Sequence, residues 1–375
     1  MEGQNQIPIL CVVGARPNFM KIAPIMRVFN REDNNFSAKL LHTGQHYDQS
    51  MKVSFFDQLN IPEPDIDLGV GSGTHAVQTA EVMKKFEPVL DTIQPKMVLV
   101  VGDVNSTLAC ALVAVKKGVP VIHVEAGLRS NDRSMPEEIN RILTDQISDL
   151  LFITEESARQ NLVKEGVCEH KIHFVGNVMI DTLLHNLECA TPVESILTNV
   201  NNRFKEYGLV TLHRPSNVDD PKVLSSLVET LLNISKDLKL VFPVHPRTLK
   251  QLQLYDLLQV LEQSDIQMLP PLGYLEMLGL MRSAKVVLTD SGGIQEETTA
   301  LGVPCITLRD STERPITLTE GTNVLVGSNP KCIREAFDSV ITTGGKSGRI
   351  PEFWDGRAAE RIVEVIHEWV RQAKI

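Results

Sequence analysis

At 375 residues the chain is long for one hydrophobic core and sufficient for two domains of about 100–200 residues each. Its 42% apolar and 22% charged residues are those of an ordinary globular protein. A net charge of −10 argues against a nucleic-acid or membrane partner, since a phosphate backbone or an anionic bilayer rewards an excess of Lys and Arg.

The chain opens without a basic segment, and its first apolar run, 7–13, is too short for a targeting core. That run is expected to be a β-strand and the protein cytoplasmic. Further strands are expected at 38–42, 97–101, 119–124, 150–153 and 172–175. After a break they resume at 209–212, 240–244, 266–269, 286–289, 304–308 and 324–326. Amphipathic stretches 74–85, 107–117, 221–236 and 247–263 alternate with them as helices. Segment 356–374 closes the chain as a helix with Ala359, Ile362, Val363, Ile366 and Val370 on one face. Near-continuous apolar strands alternating with helices predict an α/β fold of parallel sheets covered on both faces. The polar segment 186–205 separates the two series, which share no repeat, so two Rossmann-like domains facing a cleft are expected. Cys11, Cys110, Cys168, Cys189, Cys305 and Cys332 include no C-x-x-C pair, and are read as buried free thiols.

Ligands of open parallel sheets bind beyond the carboxyl ends of the strands. There the first half offers Gly14-Ala15-Arg16-Pro17 with Lys21, Gly102-Asp103-Val104-Asn105, and Glu125-Ala126-Gly127 with Arg129. The second offers His213-Arg214, His245-Pro246-Arg247, Asp290-Ser291-Gly292-Gly293 with Glu296 and Glu297, and Arg309 with Glu313 and Arg314. The Ser291-Gly292-Gly293 turn permits close approach of a ligand to the backbone, and the helix it opens presents unpaired N–H groups to a phosphate. A diphosphate also needs cations, for which Arg16, Arg214 and Arg314 are candidates through bidentate guanidinium bonds. Glu297 could accept from ribose hydroxyls. Taken alone, the turn also fits an ordinary β-to-α connection.

Asp103, Glu125, Glu137 and Glu138 are candidate acid–base groups, because carboxylates sharing a cleft raise one another's pKa. Asp103 also fits a helix N-cap, and Glu137 and Glu138 fit helix-dipole partners of Arg141. Glu125 is harder to dismiss, since an acid ending a buried strand needs a reason. No metal site or cofactor is expected: His42 and His46 flank a strand end rather than sharing a helix face. There is no dinucleotide fingerprint, Walker A motif or G-x-S-x-G elbow.

Gly14-x-Arg16-Pro17, Thr43-Gly44-Gln45-His46, Gly102-Asp103, His123-Val124-Glu125-Ala126-Gly127-Leu128-Arg129 and Pro136-Glu137-Glu138-x-Asn140-Arg141 follow one another in the first half. His213-Arg214, Asp290 to Glu297, and Arg309-Asp310-x-Thr312-Glu313-Arg314-Pro315 follow in the second. In this order the motifs resemble the non-hydrolysing UDP-N-acetylglucosamine 2-epimerases, from Gly14 to Pro315. The resemblance implies a glycosyltransferase-B-like pair of Rossmann-type domains, 1–178 with 357–375 and 179–356, the C-terminal helix returning to the first. It also implies a homodimer and a nucleotide-sugar substrate. The implied chemistry is elimination of UDP to 2-acetamidoglucal and re-addition, inverting carbon 2. By position it makes Asp103, Glu125 and Glu137 the catalytic acids and bases, assisted by His213. Arg16, Lys21, Arg141, Ser291, Gly292, Gly293, Glu297 and Arg314 would bind UDP.

Members activated by a second substrate molecule carry a Gln where this chain has Asp48, and a basic residue some twenty positions on. No Lys or Arg occurs here from 53 to 83, so weak or absent activation is expected. Alternatives are a hydrolysing 2-epimerase, a retaining glycosyltransferase with an acceptor groove, and a silent nucleotide-sugar sensor.

Overall fold

The computed structural model describes residues 6–32, 34–44, 61–197 and 206–373. The chain divides into two compact units, Met1–His185 with Glu352–Ile375, and Asn186–Pro351.

The first unit contains β1 (Ile7–Val13), α1 (Arg16–Phe29), β2 (Phe36–His42), β3 (Ile66–Asp67), α2 (His75–Ile93), β4 (Met97–Val101) and α3 (Asn105–Lys116). It continues through β5 (Val121–Val124), α4 (Pro136–Ile147), β6 (Leu150–Ile153), α5 (Glu156–Lys164), β7 (Ile172–Phe174) and α6 (Val178–Asn186). Its seven strands are all parallel, in the order β3-β2-β1-β4-β5-β6-β7. The second unit contains β8 (Gly208–Thr211), α7 (Pro221–Ile234), β9 (Leu240–Pro243), α8 (Pro246–Leu254), β10 (Gln267–Leu269) and α9 (Tyr274–Ser283). Then come β11 (Val286–Thr289), α10 (Gly292–Leu301), β12 (Cys305–Thr307), β13 (Asn323–Leu325) and α11 (Pro330–Thr343). Its six strands are also parallel, ordered β10-β9-β8-β11-β12-β13. Both are open Rossmann-like sheets, and each has a switch point where the order reverses, between β1 and β4 and between β8 and β11.

Local chemistry explains the elements. The central strands β4, β5, β8 and β11 are buried along their whole length, as strands covered on both faces must be. Thr74 caps α2, Asp220 caps α7 and Asn329 caps α11 through side-chain oxygens that accept main-chain N–H groups. The expected helix 247–263 is broken by Asp256, which has φ +57°, leaving α8 and the short helix Leu258–Glu262. The expected helix 74–85 instead continues through Pro88 to Ile93. The edge strand β3, only two residues long, is too short to leave an alternating pattern. All six cysteines are free, but Cys168, Cys189 and Cys332 are exposed rather than buried, because they lie in connections and on a helix surface. Among the described residues no helix is long and apolar enough to cross a membrane.

The last helix, α12 (Ala358–Ala373), packs on α1. Its amphipathic face buries Ala359, Ile362, Val363, Ile366 and Val370. Its first turn is capped by Asp181 of α6, which accepts from Ala358 N at 3.1 Å and Ala359 N at 2.7 Å. Burial pushes the Asp181 carboxyl up to about 6, even though these two bonds favour the anion. The native state therefore retains a proton that the unfolded chain releases, and this group's stabilising contribution is lost as pH rises from about 4 through 6. Its magnitude is at most about 3 kcal/mol, from 1.36 kcal/mol per unit. Urea unfolding of the wild type and Asp181→Asn at several pH values should show the stability difference moving in favour of Asn between pH 4 and 7. A difference constant over that window would contradict this account.

Candidate active site

At the first unit's switch point, two acids stand beside two cations. Glu125 follows β5, with its side chain 6% exposed, and forms a buried ion pair with Lys21 of α1. Asp103 follows β4, with its side chain 27% exposed, and accepts from Arg141 Nη2 of α4 at 2.5 Å. Arg141 also donates through Nη1 to Glu138 at 2.9 Å, so two carboxylates share its guanidinium. Gly102 has φ +67°, and a Cβ there would stand 2.9 Å from Lys21 Nζ and 3.5 Å from Glu125 Oε2. The positive φ favours glycine, and a side chain there would crowd the Lys21 ammonium. Asn18 closes the crevice floor: its side-chain oxygen accepts from Gly14 N and Ala15 N, and its amide donates to Val101 O.

Glu138 is buried and accepts from Ser130 N, Ser130 Oγ and Asn131 N, which fixes the loop ahead of α4. Glu137, on the same turn, is half-buried and makes no hydrogen bond or ion pair among the described residues. The two acids of this motif are thus separated in role: one is committed to structure, the other is available for chemistry.

At the second unit's switch point, His213 follows β8 and Asp290 follows β11. Asp290 is fully buried and accepts from His213 N, Arg214 N and Asn217 Nδ2. Its carboxylate lies 3.0 Å from His213 Nδ1. Burial works against ionisation of Asp290, but the His213 ring and these N–H donors outweigh it and hold the pKa below the usual carboxylate range. His213 is thereby oriented through Nδ1, as an imidazole backed by a carboxylate is in proton-transfer sites.

Ser291 occupies the N-cap of α10, but its hydroxyl makes no capping bond. A Cβ on Gly292 would stand 2.7 Å from Glu313 Oε1. Around Glu313 lie three arginines: Arg309 Nη2 at 2.8 Å, Arg214 Nη2 at 3.7 Å, and Arg314, which follows it in the chain. Burial raises the Glu313 pKa, but the three guanidinium groups win and hold it at about 2. Arg314 also lies 2.9 Å from the buried Glu296. Arg214 Nε and Arg309 Nη1 are buried without a hydrogen-bond partner among the described residues. Glu297 lies against Tyr274, whose phenol is pushed up by burial and by this carboxylate. Polar N–H groups with no partner, a glycine helix start and clustered arginines suit a phosphate-bearing ligand.

The structure brings Asp103, Glu125, Lys21 and Arg141 together in one unit, and His213, Ser291, Gly292, Gly293, Glu297 and Arg314 in the other. Arg16 opens α1, and its side chain is outside the described ones; Gln45, His46 and Asp48 also lie outside the described residues. Asp290 and Arg309 stood in the sequence motifs without a role. The signal for Asp290 was its position ending a strand whose neighbour ends in His213.

The family model for UDP-N-acetylglucosamine 2-epimerase matches residues 30–367. The UDP-N-acetylglucosamine 2-epimerase of Methanocaldococcus jannaschii is 44% identical over 95% of this chain and 97% of its own. The UDP-2,3-diacetamido-2,3-dideoxy-D-glucuronate 2-epimerase of Pseudomonas aeruginosa is 42% identical over 96% of this chain and 99% of its own. A crystal structure of the Methanocaldococcus jannaschii enzyme in complex with UDP-GlcNAc and UDP is similar with a TM-score of 0.88 and 43% identity, covering 96% of this chain and 100% of that one. With two Rossmann-like sheets, acids at one switch point and arginines at the other, this chain belongs to the UDP-N-acetylglucosamine 2-epimerase family.

Proposed function

We propose that this protein reversibly epimerises carbon 2 of UDP-N-acetylglucosamine by eliminating UDP and adding it back. The observation that carries the reading is the division of chemistry between the units: Asp103 and Glu125 follow adjacent strands beside one switch point, and the Arg214, Arg309 and Arg314 cluster lies with the Gly292 helix start near the other. The proton on carbon 2 is not acidic, so a free carbanion there is too costly. Elimination avoids it: a carboxylate takes the proton, the C–H pair becomes the C1–C2 double bond, and the C1–O bond breaks toward the β-phosphate. Charge then grows on the leaving UDP, where preorganised arginines and helix N–H groups lower the barrier. Re-addition returns UDP oxygen to carbon 1 and a proton to the opposite face of carbon 2.

In this reading Asp103, Glu125 and Glu137 are the acid–base set, assisted by His213 held through Asp290. Arg16, Ser291, Gly292, Gly293, Glu297 and Arg314 bind UDP, with Arg214 and Arg309 beside them. Lys21 and Arg141, also expected to bind UDP, are assigned instead to orienting Glu125 and Asp103, because their cationic ends are engaged by those carboxylates.

A second reading keeps the reaction and changes the sugar. The similarity to the Pseudomonas aeruginosa enzyme is as high as that to several UDP-N-acetylglucosamine enzymes, so an acetamido sugar oxidised at carbon 6 is the alternative substrate. Comparing kcat/KM on both nucleotide sugars decides between them.

Incubation with UDP-N-acetylglucosamine alone in heavy water should place deuterium at carbon 2 of intact nucleotide sugar and yield the manno epimer. Release of free N-acetylmannosamine would point to the hydrolysing reaction, and absence of exchange without an acceptor to glycosyl transfer. Asp103→Asn should reduce exchange by about 100-fold or more, within the range for losing an acid–base group. Gly292→Ala should weaken UDP binding, measured calorimetrically, by at least about tenfold, since its Cβ meets Glu313 and crowds the helix start. Unchanged UDP affinity in that variant would remove the second unit's assigned role.

A further inference from the structure

The carbonyl groups of Val101, Gly102 and Asp103 are held one after another by side chains from four different elements. Val101 O accepts from Asn18 Nδ2 of α1 at 3.1 Å and Thr107 Oγ1 of α3 at 3.0 Å. Gly102 O lies 2.8 Å from His123 Nε2 of β5, and Asp103 O accepts from Asn140 Nδ2 of α4 at 2.9 Å. A carbonyl oxygen only accepts, so His123 Nε2 carries a proton. The other ring nitrogen lies 2.7 Å from Asp145 Oδ1, and Asp145 is in turn fixed by Gly127 N at 3.1 Å and Arg129 Nη2 at 2.7 Å. His123 and Asp145 are both fully enclosed. The neighbouring strands already pair Gly102 N with Val124 O, so the His123 contact to Gly102 O is additional to the sheet ladder.

We propose that the buried His123–Asp145 pair, with Asn140, positions Asp103 through its main chain. This inference rests on the reading of Asp103 as an acid–base residue. His123 never meets the substrate in it. It sets the direction of the Gly102–Asp103 turn, from which the Asp103 carboxylate projects toward Arg141. Glu125, two residues beyond His123, is carried by the same strand end. A displacement of about 1 Å in a proton-transfer group costs on the order of 100-fold in rate.

Two substitutions separate positioning from packing. The amide of Asn reaches where Nδ1 stands, and keeps the Asp145 bond while losing the donor to Gly102. The amide of Gln reaches where Nε2 stands, and keeps the Gly102 bond. In the full-length enzyme, His123→Asn should lower kcat for carbon 2 exchange by about 100-fold with KM and UDP affinity within about threefold, while His123→Gln stays within about tenfold of wild type. Equal losses in both variants, or a greater loss in Gln, would overturn the proposal. If His123→Asn does not give a cooperative unfolding transition, Asn140→Ala takes its place, with the expected outcome a loss of kcat at unchanged KM. Wild-type kcat in Asn140→Ala overturns the proposal as well. Asp103→Asn serves as the reference. Should it retain activity, the acid–base reading of Asp103 falls and this inference with it; should it be inactive while His123→Asn is not, only the positioning role falls.

Discussion

A charge that ends a buried parallel strand has to be neutralised where it stands, because stripping an ion of water without a partner costs several kcal/mol. Both switch points obey this constraint, with opposite signs. In the first unit the strand-end charges are acids, and Lys21 and Arg141 stand against Glu125 and Asp103. In the second the charges are arginines, and Glu313 and Glu296 stand among them. Some of the partners come from elements far away in sequence, 104 residues for Lys21 and Glu125 and 77 for His213 and Asp290, whereas Arg309 and Glu313 lie on one loop. The crevices therefore form only when each sheet has formed.

Neutralisation does not silence these groups, because the pairing leaves hydrogen-bonding capacity open. Glu313 absorbs only part of the donor capacity of its neighbours: Arg214 Nε and Arg309 Nη1 remain without partners among the described residues. A buried donor left unmade costs about 1–3 kcal/mol, so a phosphate oxygen placed there would relieve an existing penalty as well as add charge attraction. Asp290 acts differently. Held ionised by its own donors, it fixes the direction of the His213 ring.

Much of the fold could be read from the chain because parallel strands buried on both faces are nearly continuous apolar runs. Twelve such runs are strands in the structure, with ends shifted by a residue or two where polar neighbours such as Asn323 complete the ladder. The pattern failed where the backbone, not the side chains, decides: Asp256 breaks a helix by adopting a left-handed conformation that its neighbours do not announce. For the candidate site, residue type and position at a strand end point to Asp103 and Glu125, and only the family motif points to His213. Their partners were invisible, since a bond between His123 and a main-chain carbonyl leaves no trace in spacing. Glu137 and Glu138 looked equivalent as adjacent acids at a helix start. The loop that Glu138 clamps, a tertiary matter, separates them.

Glu125 itself adopts φ +72°, a conformation that costs a non-glycine residue on the order of 1–3 kcal/mol. Its N–H and that of Ala126 both donate to Phe152 O at 3.0 Å, which ties the turn to β6 and over-determines the geometry. A glycine here would relieve the strain and remove the carboxylate. A shift to an extended conformation would break the bonds to Phe152 and swing the side chain away from Lys21. Strain of this kind persists where the surrounding structure imposes it. At Glu125 the strained backbone, the Lys21 pair and the Cβ-free surface of Gly102 all serve one outcome, a carboxylate held at the end of β5 beside Asp103's strand.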